Sequence, residues 1–353
     1  MAIAALPLVV LGQVTPGVDN PTIDAPIAPN PVNAQIQQEL RLAGDFMVGK
    51  GVQKDPVQSA YWFKKAADQG DAVAQNELGY LYTWGLGVPR DDAQAFRWFA
   101  RAAGQGYQQA KLNMAVMYMR GIGVARDPRF ATDLLTELAK RGNARAEDYL
   151  GMMYLDGVGV PQDSRMAEEW FSKSAKGKNP EGEFAMGNLY SEEGDHEHDF
   201  AKAEKYLRES ARAGYVPAMY SLGVLEVNHP EIAQKPGEAL ALLERAAEAG
   251  TWQSSAALGT LARDGRGRPR DMAEAFRWFT IAMKQGGTEA DSLMRASMEK
   301  CRAALGAEQQ AAELRAADSW LTEHPHADLF VFDNMHARIP AGEVYAARAE
   351  AVE

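Results

Sequence analysis

The sequence resembles itself when it is shifted by 36 residues, without a gap, through seven copies. The clearest column of this alignment holds glycine in five copies and alanine in the other two, and Leu or Met precedes it every time. Its members are Ala43, Gly79, Ala115, Gly151, Gly187, Gly223 and Gly259. A fixed period of this length is typical of an array of stacked modules, each of which packs on its neighbours, rather than of a single closed globule.

Each copy predicts two helices, as the second one illustrates. Leu78 and Tyr82 are four residues apart, on one face of a first helix. The glycines of Gly85–Gly87 are expected to end that helix, because glycine readily adopts the left-handed conformation. Asp91 can accept hydrogen bonds from the free amides of the next helix, whose apolar face carries Trp98. The sequence therefore predicts an all-α, right-handed α/α superhelical solenoid of helix-turn-helix repeats.

The residues from Ala74 to Gly106 also carry a family signature. They read Ala-x-x-x-Leu-Gly-x-x-Tyr-x-x-Gly-x-Gly-Val-x-x-Asp, followed by Ala-x-x-Trp-Phe and Ala-Ala-x-x-Gly. This pattern resembles the Sel1-like repeat family, a relative of the tetratricopeptide repeats. The resemblance implies an adaptor or scaffold that binds protein partners, in bacteria often in the periplasm or outside the cell. It also implies that the first helices line the inner, concave side.

The ends of the chain differ from the repeats in composition. An apolar start resembles a secretory signal, although no Lys or Arg precedes Arg41. We therefore expect a periplasmic or secreted protein, with a cytoplasmic one as the alternative. The predicted segments are a signal-like stretch at 1–14, a proline-rich tether at 15–33, seven repeats at 35–286, a degenerate capping helix pair at 287–323 and a tail at 324–353.

Composition excludes several classes of function. The chain has 37 Lys and Arg against 48 Asp and Glu, a formal charge of −11, which disfavours a nucleic-acid partner. A single cysteine, Cys301, excludes an intrachain disulfide framework and a thiolate zinc cage, and we expect it to be a half-buried structural thiol. No apolar run approaches the length of a membrane-spanning helix.

Two short motifs could carry chemistry. Asp195–Asp199 contains two histidines between carboxylates, but no third, distant ligand is identifiable, so we predict no metal and no cofactor. Ser297 and Lys300 have the Ser-x-x-Lys spacing of penicillin-interacting serine enzymes, without the Ser-Asp-Asn and Lys-Thr-Gly motifs that accompany it. A non-enzymatic scaffold is the prediction. A penicillin-interacting serine hydrolase, as described for some cysteine-rich relatives, is the alternative.

Binding positions should vary from copy to copy, because a ligand does not repeat with the scaffold. Two columns of the first helices lie off the core stripe and vary, yet hold apolar residues. We predict that they form a partner-binding groove, with aromatic residues and Met as its main anchors. Its residues are Tyr80, Leu112, Met152, Phe184, Asn188 and Tyr220. The alternative interpretation is that some of these side chains seal neighbouring units together.

Overall fold

A computed structural model describes residues 31–191, 199–233 and 237–324, with side chains from residue 34 onward. These residues form fifteen α-helices and no strand, which confirms the prediction of an all-α helical-repeat solenoid. The signal-like segment, the tail beyond His324 and residues 195–198 of the candidate metal loop lie outside the described residues.

The helices follow the sequence in pairs. They are α1 Pro31–Val48, α2 Pro56–Asp68, α3 Ala72–Trp84, α4 Asp92–Gly104, α5 Gln108–Arg120, α6 Pro128–Ala139, α7 Ala144–Asp156, α8 Ser164–Lys176, α9 Pro180–Ser191, α10 Phe200–Arg212, α11 Val216–Asn228, α12 Glu238–Glu248, α13 Trp252–Asp264, α14 Met272–Ala303 and α15 Ala307–Glu323. Residue Gly287 interrupts α14 with φ of 58° and ψ of −136°.

The first helix begins earlier than the sequence suggests. Helix α1 starts at Pro31, inside the segment 15–33 that we predicted to be an extended tether. Proline lacks only an amide that the first turn of a helix leaves unpaired, so it can begin a helix as well as extend a linker. The tether prediction is therefore wrong for its last three residues.

The ends of the helices in the second repeat are those that the sequence predicts. Helix α3 ends at Trp84, and Gly85 follows in the left-handed conformation with φ of 67°. The Asp91 side chain accepts a hydrogen bond of 2.9 Å from the amide of Gln94 and so begins α4. Gly87 is confined further: a Cβ atom there would lie 1.9 Å from the carbonyl oxygen of Pro56. The loop of one repeat thus packs directly on the start of the preceding second helix.

The deepest core column is next to the tryptophans, not on them. Phe99 is 2% exposed, whereas Trp98 is 7% exposed, and Trp62 and Trp170 are only half-buried. The buried column consists of Phe63, Phe99, Leu135, Phe171, Leu207, Leu243 and Phe279. A cation lies over the ring of three tryptophans, as Lys173 does 3.7 Å from the ring centroid of Trp170. The tryptophans therefore close the edge of the core.

The described residues divide into two units on either side of the junction between Ala167 and Glu168. In the unit of residues 31–167, helices α1 to α7 pack on each other in chain order. In the unit of residues 168–324, α9 to α15 do the same, and the first helix α11 also contacts the first helices α9 and α13. Among the described helices, none is long and apolar enough to cross a membrane.

Candidate functional site

Two of the first helices, α3 and α11, are poor in charge, and α11 packs on the first helices α9 and α13 as well as on α10 and α12. In the unit of residues 168–324, α11 carries one charged residue, whereas α10, a second helix, carries six. In the unit of residues 31–167, the single charged residue of α3 is Glu77. A charged side chain costs more to bury than an apolar one, so the single carboxyl group on each of these two helices needs an explanation.

Three of the six predicted groove residues are buried. Leu112 is 1% exposed, Phe184 is 3% exposed and Asn188 is 8% exposed. The ring of Phe184 packs 5.3 Å from that of Tyr215, within a core cluster around α10 and α11. These three side chains are core and offer no open contact area, which corrects their assignment to a groove. For Phe184 the physical reason is that the next first helix, α11, also packs on α9 and covers a position lying off the seam of the helix pair.

The other three predicted residues are half-buried. Tyr80 packs beside two core clusters of the unit of residues 31–167, and Met152 is half-buried on α7. Tyr220 bridges two clusters of the unit of residues 168–324. Each leaves part of its surface accessible, and their role in binding stays a prediction.

An accessible cluster surrounds Tyr80 that the sequence analysis missed. We define the Glu77 patch as Glu77, Tyr80 and Trp84 of α3 with Tyr107 and Asn113, all of them half-buried. The rings of Tyr80 and Trp84 lie 6.3 Å apart at 47°. The spacing of three and four residues from Glu77 to Trp84 places these side chains on one helix face, and it could have been seen in the sequence.

The electrostatics of this patch centre on one carboxyl group. Burial raises the pKa of Glu77, although a hydrogen bond of 3.1 Å from Asn76 Nδ2 acts to lower it. Burial also raises the pKa of Tyr80 and of Tyr107, and the negative charge of Glu77 adds to both shifts. No described residue forms an ion pair with Glu77.

In the unit of residues 168–324, a buried ion cluster stands where other repeats have an aromatic side chain. Glu226 takes the place held by Tyr190 one repeat earlier, and it hydrogen-bonds Arg208. Arg208 also donates to Glu204 at 2.5 Å and to Glu238 at 2.7 Å. Burial is the main cause that raises the pKa of Glu226, and the charges of Glu238 and Glu204 raise it further, while Arg208 lowers it. One guanidinium thus holds three helices, α10, α11 and α12, together.

The seven repeats match a known family of helical repeats. The Sel1 repeat model matches residues 39–71, 72–107, 108–143, 144–179, 180–215, 216–251 and 253–287. The chain belongs to the Sel1 repeat family. Sel1 repeat proteins are generally non-catalytic scaffolds for protein interactions. A comparison with curated proteins gave no significant match.

Solved structures of Sel1 repeat proteins resemble this chain. One, a Sel1 repeat protein from Oxalobacter formigenes, is 26% identical with a TM-score of 0.60, over 70% of this chain and 99% of that chain. A protective antigen with an SLR fold from uropathogenic Escherichia coli is 23% identical with a TM-score of 0.41, over 90% and 72%. An immunity protein from Pseudomonas aeruginosa is 21% identical with a TM-score of 0.40, over 62% and 76%.

The Ser-x-x-Lys motif lies in the capping region that follows the seven Sel1 repeats. The hydroxyl of Ser297 accepts a hydrogen bond of 3.0 Å from Arg263, and no described hydrogen bond joins it to the exposed Lys300. Cys301 is fully buried rather than half-buried, and burial raises the pKa of its thiol. The described residues contain no group of three metal-ligating side chains, and Asp199 serves as the N-cap of α10.

Proposed function

We propose that this Sel1 repeat protein is a non-enzymatic scaffold that holds a protein or peptide on the accessible face of its first helices. Membership of the family carries this proposal, because Sel1 repeats generally mediate protein interactions. The aromatic side chains left half-exposed on charge-poor helices support it, since such residues give contact area at small entropic cost. Tyr80 and Tyr220 are the two predicted anchors of this kind, and Met152 adds a flexible apolar one.

The proposal is tested by site-specific photo-crosslinking within one unit. A photoreactive phenylalanine analogue is placed at Val48 or Asn113 on the first helices, and at Arg97 or Asp133 on the exposed side of the second helices. We expect the same protein to be captured from both first-helix positions in the native organism, and not from the second-helix controls. Equal capture from both faces, or capture from neither, contradicts the proposal.

The non-catalytic part of the proposal has its own test. Incubation with a fluorescent penicillin addresses the alternative of a penicillin-interacting serine hydrolase. We expect no stoichiometric labelling of the purified protein. Labelling that disappears in Ser297→Ala would replace the scaffold function with a catalytic one.

Export to the periplasm is part of the same proposal, and the apolar segment 1–14 supports it. Fusion of residues 1–33 to a phosphatase that is active only after export measures it directly. Phosphatase activity in whole cells is the expected result. A second fusion joins the same residues to a reporter that is active only in the cytoplasm. Activity of that second fusion, without phosphatase activity of the first, would favour the cytoplasmic alternative.

The identity of the partner divides the scaffold proposal into two cases. One is an immunity-type role, in which the protein neutralises a secreted toxin, and the other is assembly of an envelope complex. Expression of the protein in cells poisoned by a toxin encoded beside its gene separates the two. Rescue of growth supports the immunity-type role, whereas an envelope defect on deletion of the gene, without rescue, supports the assembly role.

A further inference from the structure

The Glu77 patch holds a carboxylate that lacks a cationic partner. Glu77 is half-buried on α3, and none of the described Lys and Arg side chains pairs with it. Arg41 occupies the equivalent position on α1, but its Nε donates to the Gln37 carbonyl at 3.4 Å. A half-buried charge without a partner carries a free-energy cost that a bound cation would offset.

A chain of side-chain amides fixes the position of this carboxylate. Gln109 donates to Asn113 Oδ1 at 3.2 Å, and Asn113 donates to Asn76 Oδ1 at 3.1 Å. Asn76 in turn donates to Glu77 Oε1 at 3.1 Å, and Glu77 Oε2 accepts no hydrogen bond from a described residue. The amide chain therefore holds the carboxylate in one orientation and leaves Oε2 without a hydrogen-bond donor among the described residues.

Aromatic residues of two helices belong to the same part of the fold as this carboxylate. Tyr80 follows one turn later on α3, with Trp84 one further turn along, and Tyr107 approaches from the start of α5. Tyr80 and Tyr107 both pack against one core cluster, the one around Phe99. The charge of Glu77 contributes to the raised pKa of both tyrosines, in agreement with this placement. Val48, at the position on α1 equivalent to Trp84, is a 57% exposed apolar side chain.

This combination fits one side chain best. A guanidinium is planar, stays charged, sheds its hydration more easily than an ammonium and stacks on aromatic faces while donating to a carboxylate. A compact, strongly hydrated ammonium would use the carboxylate but not the flat rings. We propose, on the basis of the scaffold function above, that the Glu77 patch receives an arginine side chain of the protein partner between Tyr80 and Tyr107.

The proposal is tested with a pair of matched peptides. Fluorescein-labelled Gly-Leu-Arg-Leu-Gly is titrated with the full chain and followed by anisotropy, and the same peptide carrying citrulline tests the charge alone. A peptide with lysine in place of arginine tests the planar group. We expect the arginine peptide to bind about tenfold or more tightly than the citrulline peptide, and more tightly than the lysine peptide.

Variants of the protein locate the binding. Glu77→Gln keeps the shape of the side chain and is expected to lower the affinity for the arginine peptide about tenfold, to the level of the citrulline peptide. Glu169→Gln removes the same charge from an exposed position of a second helix and is expected to change nothing. Circular dichroism of each variant reports whether it is folded. Binding of the arginine peptide should also weaken as the pH falls through the raised pKa of Glu77.

Each remaining outcome overturns the proposal. Equal affinity for the arginine and citrulline peptides would show that the positive charge does not contribute to binding. Unchanged affinity of Glu77→Gln for the arginine peptide would show that the peptide binds elsewhere. Stronger binding of the lysine peptide replaces arginine with an ammonium. No binding of the arginine peptide at millimolar concentration also ends the proposal. In all these cases the scaffold function stands or falls by the crosslinking experiment alone.

Discussion

Gly79 of α3 lies against the ring of Phe99 of α4, so closely that a Cβ atom on the glycine would be 2.8 Å from Phe99 Cδ1. The same contact recurs between Gly259 and Phe279, where the distance would be 2.9 Å. In these two repeats, the backbone of the first helix therefore contacts the phenylalanine ring of the second helix directly. In these two repeats the glycine makes room for the ring, and in the fifth and sixth repeats Gly187 and Gly223 make the same room for Leu207 and Leu243.

Adding one methyl group at this contact should be costly. We expect Gly79→Ala to destabilise the protein by about 1–3 kcal/mol through overpacking, in spite of the better helix propensity of alanine. In the third repeat, the positions equivalent to Gly79 and Phe99 hold Ala115 and Leu135. A smaller side chain in place of Phe99 should therefore make room for the added methyl group. Phe99→Leu combined with Gly79→Ala should lose less stability than the two single changes added together. Urea unfolding of the four proteins of this cycle measures the coupling, and strictly additive losses would contradict it.

The two kinds of loop glycine should differ in their tolerance of a side chain. Gly87 and Gly106 both have positive φ, at 69° and 85°, so alanine strains the backbone at either position. A Cβ atom at Gly87 would also collide with the Pro56 carbonyl, whereas one at Gly106 would meet nothing within 4 Å. We expect Gly87→Ala to lower the melting temperature clearly more than Gly106→Ala. Equal effects would show that φ alone matters.

One like-charge contact between helices can be turned into an ion pair. Lys111 and Glu137 pair at 2.8 Å, and two repeats later the same two positions hold Glu183 and Glu209. Burial and then the charge of Glu209 raise the pKa of Glu183, while Lys178 lowers it. Glu183→Lys should restore the pair and stabilise the unit of residues 168–324 by up to about 1 kcal/mol at neutral pH.

The pH dependence of this contact has a definite sign. A carboxyl group with a raised pKa in the folded state favours folding below its unfolded pKa, and this contribution is lost as the pH rises through the folded pKa. As the pH is raised from about 4 to about 7, the free energy of unfolding of the natural protein should therefore increase less than that of Glu183→Gln. Parallel curves of unfolding free energy against pH for the two proteins would refute this.

Substitution of the buried Arg208 should destabilise the protein far more than substitution of the equivalent position in another repeat. Arg208→Ala leaves three carboxylates facing each other, two of them buried, and we expect a loss of about 3–5 kcal/mol. Thr136→Ala, at the equivalent position of α6, is the matched control and should cost little. Glu226→Gln mimics the protonated carboxyl that burial favours and should cost much less than Arg208→Ala. Hydrogen exchange should localise the damage to α10, α11 and α12.

The sequence predicts the repeats well because packing imposes the same demands on every copy. Gly85 ends α3 and Asp91 begins α4 as expected, since both act through local backbone geometry. The groove residues were harder to predict. Leu112 and Phe184 vary between copies like surface positions, yet both are buried, Phe184 against Tyr215 at the start of α11. Periodicity along one helix cannot show which neighbour covers its other side.

The 36-residue period and the residues at the helix ends were therefore sufficient to predict the family, the helix pairs and their caps. These features depend on contacts that recur in every repeat. Only the tertiary structure decided that Phe99 rather than Trp98 lies deepest, and that no cation in the described part of the chain pairs with Glu77. Such facts depend on side chains that come together from different helices and occur once. The physical reason is that burial and charge pairing are properties of the assembled surface, not of any single stretch of chain.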